Sequence, residues 1–188
     1  MTRIPYPDPG KLPPAFAGAP NVTRMVMAGS PAVAQAYNAF SSAFFAGTRL
    51  SARLREIAIL RVAELSGSRY EIYQHEPLAR LVGMTDAEIE AARSGAGAPA
   101  VLGAAGVAVL RFVEEVVRQV RASDGAVAAV RRFLDDEQVV DLIFLTGCYM
   151  TLARMLESLD VALDAAPIDW AKVLGQLDET DGAKRSSS

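Results

Sequence analysis

The chain has 188 residues, of which 51% are hydrophobic and 22% charged, with a formal net charge of −3. That length is most simply one domain able to bury a sizeable core, and a pI near 5.3 gives no reason to expect nucleic acid or an anionic membrane as partner. A single cysteine, Cys148, excludes an internal disulfide and fits a reducing compartment.

The amino terminus has no apolar signal core, and the apolar stretches Val101 to Leu110 and Leu142 to Ala153 are too short to span a bilayer. A soluble, cytoplasmic protein is expected. Residues 1–29 read as an extended proline-rich arm, because Pro5, Pro7, Pro9, Pro13, Pro14 and Pro20 fix φ and remove amide donors. Ile4, Tyr6, Leu12 and Phe16 would let that arm lie over its own domain or over a neighbouring subunit.

A single helical domain is expected over residues 30–177. Ser30-Pro31 marks a helix start, with Val33, Tyr37, Phe40 and Phe44 as its core face and an end before Gly47. Ser51 caps the next helix, to Leu65, and Gly67 breaks the chain. Ser68 opens a helix that holds the only histidine, His75, and runs through Pro77 to Gly83. Thr85 with Glu88 forms a capping box for a short helix to Arg93. The segment SGAGAPA is a loop, after which helical patterning resumes to about Arg121. Asp124-Gly125 punctuates it, a shorter helix reaches Leu134, and Asp135 or Asp136 caps a long helix from Val139 to about Leu159. That last helix is apolar almost all round, which points to a central or interface position. Ile168, Trp170, Val173 and Leu177 suggest a final short helix, and residues 178–188 a disordered tail. No strand pattern is present, so the fold class is all-α.

At about 3.6 residues per turn, Ser68, Glu71 and His75 share one face of their helix with Ile72, Leu78, Ala79 and Val82. An unpaired buried polar group costs about 1–3 kcal/mol, so the acid and the imidazole either satisfy each other or line a cavity. Ser68 and Glu71 also fit a capping box. One carboxylate points either back at the Ser68 amide or toward His75. Glu56 lies on the preceding helix at the edge of a polar stripe made by Arg53, Arg61 and Glu64, where a solvated surface position competes with a site role. Cys148 and Met25, Met27, Met150 and Met155 read as packing residues.

The segments LREIAILRVAELSGSRYEIYQH and LARLVGMTDAEIEA, followed by EQVVDLIFLTGCYMTLARMLESLDV, resemble the carboxymuconolactone decarboxylase family, which includes the AhpD-type alkylhydroperoxidases. The resemblance spans roughly Pro31 to Leu163. It implies an AhpD-like all-α domain of about six to eight helices, assembled as a homotrimer or hexamer. In the peroxidase branch the motif is a glutamate, two cysteines separated by two residues, and a histidine. On this sequence the glutamate matches Glu56 and the histidine His75, while the cysteine positions hold Ser68 and Glu71. Dithiol reduction of a hydroperoxide needs a thiolate and a resolving thiol, and a serine and a carboxylate supply neither.

The decarboxylase branch implies chemistry on a small-molecule substrate with no cofactor and no metal. Carbon dioxide leaves as electrons flow toward an unsaturated lactone carbonyl, and the dienolate is protonated on carbon. Imidazole suits that proton transfer. His75, Glu71, Glu56 and Ser68 are therefore the expected catalytic set, with Tyr70 and Arg61 in support. A peroxidase and a non-catalytic oligomeric module whose polar cluster is structural are the alternatives.

Overall fold

The protein is described by a computed structural model covering residues 2–8, 10, 12–13, 16 and 18–176. Among these residues there are helices and no strands. In chain order they are α1 (Asn21–Val26), α2 (Pro31–Ala46), α3 (Ala52–Ser66), α4 (Arg69–Leu81), α5 (Asp86–Ser94), α6 (Ala98–Val101), α7 (Gly103–Gln119), α8 (Asp124–Val130) and α9 (Asp136–Ser158). A further helical run covers 170–176.

Local signals place most of these ends. Ser51 accepts a hydrogen bond from the Leu54 amide, and Thr85–Glu88 and Asp135–Gln138 both form complete capping boxes. Asp124 and Gly125 do not interrupt the chain: Ser123 caps α8, so both fall in its first turn. The expected loop after Arg93 contains the short α6, and the proline-rich arm contains α1. Leu177 and the expected tail over 178–188 lie outside the described residues.

The molecule is organised around α3, which packs against α4, α5, α7 and α9. Every residue from Arg55 to Ala63 is buried, because neighbours cover the helix on all sides. Gly106 permits this closeness: a Cβ there would meet Ile57 Cδ1 at 3.1 Å and Leu102 Cβ at 3.0 Å. That enclosure rules out the solvated position open to Glu56 and takes Arg61 out of the polar stripe, while Arg53 and Glu64 stay partly exposed. Glu56 and Arg61 are both buried, each beside an opposite charge that offsets the cost of desolvation.

Helix α2 meets the core through Ala34 and Phe44, with Tyr37 partly buried. Val33 (66% exposed) and Phe40 (39%) face outward, contrary to their expected place in the core. Ser30 stands at the N-cap position but makes no side-chain cap bond. Helix α9 is long and apolar enough to cross a membrane by length and composition, although its longest uncharged run had read as too short. Here it lies against α3, α7 and α2. Its outer face leaves Val140, Ile143 and Phe144 exposed.

The segments around Arg3 and Asn21 pack against the segment that follows α9. Arg3 donates its amide to the Leu159 carbonyl (2.9 Å) and its Nε to Asp160 (2.8 Å), so the arm rests on its own chain. Ile4 is nonetheless exposed, while Tyr6, Leu12 and Phe16 are half-buried. Asp164 fastens this layer. Its carboxylate accepts from the Asn21 amide (2.9 Å), from Gln74 Nε2 (2.9 Å) and from the Tyr70 hydroxyl.

Candidate active site

Helix α3 carries Glu56, α4 carries Glu71 and His75, and Ser68 stands at the α4 N-cap; the structure pairs Glu56 with His75 and sets Glu71 and His75 in one pocket wall. Glu56 is fully enclosed. Its Oε1 accepts from Arg55 Nε at 3.0 Å, and its Oε2 lies 2.8 Å from His75 Nδ1. Arg55 also reaches the Phe44 carbonyl (3.3 Å) and lies over the Phe45 ring. The imidazole is thus held by a carboxylate whose charge is balanced from behind. Its Nε2 has no hydrogen-bond partner among the described residues, and the ring forms part of a pocket wall.

Glu71 does not pair with His75, and the capping box with Ser68 does not form. Both Glu71 oxygens and the Ser68 hydroxyl are buried without a hydrogen-bond partner among the described residues. Of the two outcomes open to the acid and the imidazole, they line a cavity. Burial pushes the Glu71 carboxyl up to about 8, with Ser68 pulling the other way and Glu157 adding to the rise. At neutral pH it carries a proton. Ser68 itself is fully buried beside it and lies outside the pocket lining.

The pocket has a volume of about 510 Å3. Tyr149 meets the His75 ring edge-on at 5.0 Å and Trp170 leans over it at 5.3 Å, stacked in turn on Phe45 at 5.6 Å. Trp170 is positioned by its indole N–H, which donates to the Gln74 carbonyl at 2.7 Å. The Gln74 side chain is engaged at both ends, giving to Asp164 and accepting from the Ile168 amide (2.7 Å).

Cys148 is buried in the core, as expected of a packing residue, and also forms part of the pocket wall. Its thiol donates to the Tyr37 hydroxyl at 3.6 Å, and burial pushes it up to about 11. The two expected supporting residues separate. Tyr70 lines the pocket, whereas Arg61 pairs with Glu114 and the Arg93 carbonyl away from it. Sequence reasoning also missed Tyr37, Gln74, Tyr149, Trp170 and Asp164 as parts of the site. The only signal was that the sole tryptophan lay in an amphipathic terminal segment. Among the described residues no group of three or more His, Cys, Asp or Glu side chains could hold a metal ion.

The sequence pattern of the carboxymuconolactone decarboxylase family matches residues 31–115, from the start of α2 into α7. Over that stretch, a little under half of the chain, the sequence is similar to that family. All four expected site residues fall inside the matched stretch, whereas Cys148, Tyr149 and Trp170, which help to line the pocket, lie beyond it. No curated protein matches the sequence. Among solved structures, the fold is similar to an uncharacterised peroxidase-related protein with an alkylhydroperoxidase AhpD core from Ralstonia eutropha JMP134. That likeness has 17% identity and a TM-score of 0.75, covering 88% of this chain and 93% of that one. A peroxidase-related protein from Silicibacter sp. TM1040 matches at 19% identity and a TM-score of 0.69, over 78% of this chain and 77% of that one. A protein of unknown function from Agrobacterium tumefaciens, described as a candidate AhpD antioxidant-defence protein, matches at 20% and 0.67, over 74% and 95%. At these identities the likeness shows an AhpD-like fold and nothing finer.

Proposed function

We propose that this protein is an enzyme moving protons on a small unsaturated carbonyl compound, as a lyase or isomerase related to the carboxymuconolactone decarboxylases. The observation that carries the reading is a buried imidazole, held at Nδ1 by Glu56, on the wall of a pocket large enough for a small molecule. Glu56 accepts a hydrogen bond from Nδ1–H, which leaves the Nε2 lone pair to take a proton from a carbon next to the carbonyl. The same Nε2 returns it to the carbon where the charge is delocalised. For a substrate that loses carbon dioxide, the first step is C–C cleavage, and only the return of a proton is required. Glu71, holding its own proton at neutral pH, donates to the oxygen on which the enolate charge develops.

Reduction of a hydroperoxide is the second reading, favoured by Cys148 on the same wall and by the names that the fold neighbours bear. A thiol pushed up to about 11 is a poor nucleophile at neutral pH, and one cysteine lacks a resolving partner. The protein works in the cytoplasm in our reading, as a homotrimer or hexamer. The strip of Val140, Ile143, Phe144 and Phe40 on α9 and α2 supports such self-association.

The experiment is deuterium exchange and carbon dioxide release on a panel of unsaturated five-membered lactones, with and without a ring carboxylate. His75→Asn keeps a side-chain N–H for Glu56 but loses Nε2, so it retains its thermal melt and loses exchange. Exchange that survives in His75→Asn, or a wild type inert toward the whole panel, sinks the proposal. Peroxide consumption abolished by Cys148→Ser would establish the second reading instead. An inert wild type whose His75→Asn variant fails to assemble would leave a structural module.

A further inference from the structure

The proton-transfer reading requires a substrate carbonyl, and the pocket wall bears on what else that substrate can carry. The namesake chemistry of the family acts on a lactone bearing carboxylate, which calls for a cation at the site. Among the described residues that line the pocket there is no Arg or Lys. The nearby cations are engaged elsewhere: Arg55 by Glu56 and the Phe44 carbonyl, and Arg24 by Asn21 and the face of Tyr6. Much of the wall is apolar, built from Val26, Phe45, Leu152, Ile168 and Trp170. The acid on that wall, Glu71, is 1% exposed, and neither of its oxygens has a hydrogen-bond partner among the described residues.

We propose, building on the function above, that the pocket selects an uncharged α,β-unsaturated carbonyl compound, an ester, lactone or ketone, whose oxygen is bound by the Glu71 carboxyl. A ligand carboxylate would bring a second acid against Glu71 with no countercharge in the wall, and it would lose its hydration on entry. A neutral carbonyl oxygen does the reverse. It supplies the acceptor that the buried carboxyl lacks, and its hydrocarbon frame meets the aromatic and aliphatic wall. Because burial holds the Glu71 proton up to about 8, the donor is in place at neutral pH. Gln74 and Tyr70 do not compete for the ligand, since Asp164 and Ile168 already engage their polar atoms.

Binding can be read without turnover, because the only tryptophan, Trp170, stands in the wall 5.3 Å from the His75 ring. The full chain is titrated at pH 6.5 with two compounds of the same carbon frame, methyl cyclohex-1-enecarboxylate and cyclohex-1-enecarboxylate, following Trp170 emission. The ester is expected to saturate the signal with a Kd at least tenfold below that of the acid. Glu71→Leu is expected to weaken the ester at least tenfold, while Glu71→Gln, which keeps an N–H donor, stays within about threefold of wild type. Should Glu71→Leu fail to fold, the Glu71→Gln titration and the ester–acid ratio still decide the matter. Equal affinities, a tighter acid, no ester binding, or ester binding untouched by Glu71→Leu each overturn the proposal. An ester that binds through Glu71 but shows no deuterium exchange refutes the proton-transfer function and leaves this selectivity standing.

Discussion

Glu71→Gln should make the protein more stable, and increasingly so as pH rises. In the unfolded chain this carboxyl ionises around 4.5, whereas in the folded chain burial delays ionisation to about 8. Between those values the folded state binds the extra proton, so its stability is complete below pH 4.5 and declines as pH rises through 8. With ~1.4 kcal/mol per pH unit, the loss amounts to about 3 kcal/mol at pH 7 and about 5 kcal/mol at pH 9. The groups that face Glu71 leave the sign unchanged. Glu157 adds to the rise, Ser68 opposes it in part, and burial keeps Tyr37 and Cys148 neutral across the range. An amide of the same shape never ionises, and like the protonated acid it leaves two polar atoms without partners, so that cost cancels. Urea unfolding at pH 5, 7 and 9, at fixed chain concentration, measures the difference between variant and wild type by linear extrapolation. Near-equality at pH 5 widening to several kcal/mol at pH 9 is expected. A difference that stays constant with pH, or a variant less stable at pH 9, would show that Glu71 has a partner in solution that stabilises its charge.

Three other outcomes follow from the same geometry. Asp164→Ala removes the shared acceptor of the Tyr70, Gln74 and Asn21 donors, so it should cost about 2–3 kcal/mol in a denaturant melt. It should also weaken Trp170 protection from acrylamide quenching; unchanged stability and quenching would refute the clasp. Native Cys148 should react with a thiol reagent at pH 7.5 about 100-fold more slowly than the unfolded chain, from its rise from 9.0 to about 11. Equal rates would mean that the thiol is open and activated. Paired Ile143→Lys and Phe144→Lys substitutions place charge on the exposed face of α9 and should convert an assembled protein to monomer in light scattering. An assembly that persists would place the contact elsewhere.

The helices were legible because their signals are local. Ser51, the Thr85–Glu88 box and the Asp135–Gln138 box act within one turn, and structure places the ends beside them. The His75 face was legible for the same reason, since positions three and four apart must point one way along a helix. What lay on that face was not a matter of local spacing. Glu71 is the acid one turn from His75 on its own helix face, yet the imidazole takes Glu56 from α3, because packing α3 against α4 puts a buried carboxylate 2.8 Å from Nδ1. The same enclosure takes Glu56 and Arg61 out of solvent, although the single-helix pattern sets them in or beside a polar stripe. Cys148 and Trp170, distant from His75 in sequence, reach its pocket only because α9 and the segment around Trp170 pack against α4. Periodicity and caps therefore determined which side chains share a helix face. Which acid stays unpaired, and so what chemistry the pocket can perform, was decided by contacts between helices, since burial and hydrogen-bond partners are properties of the packed chain.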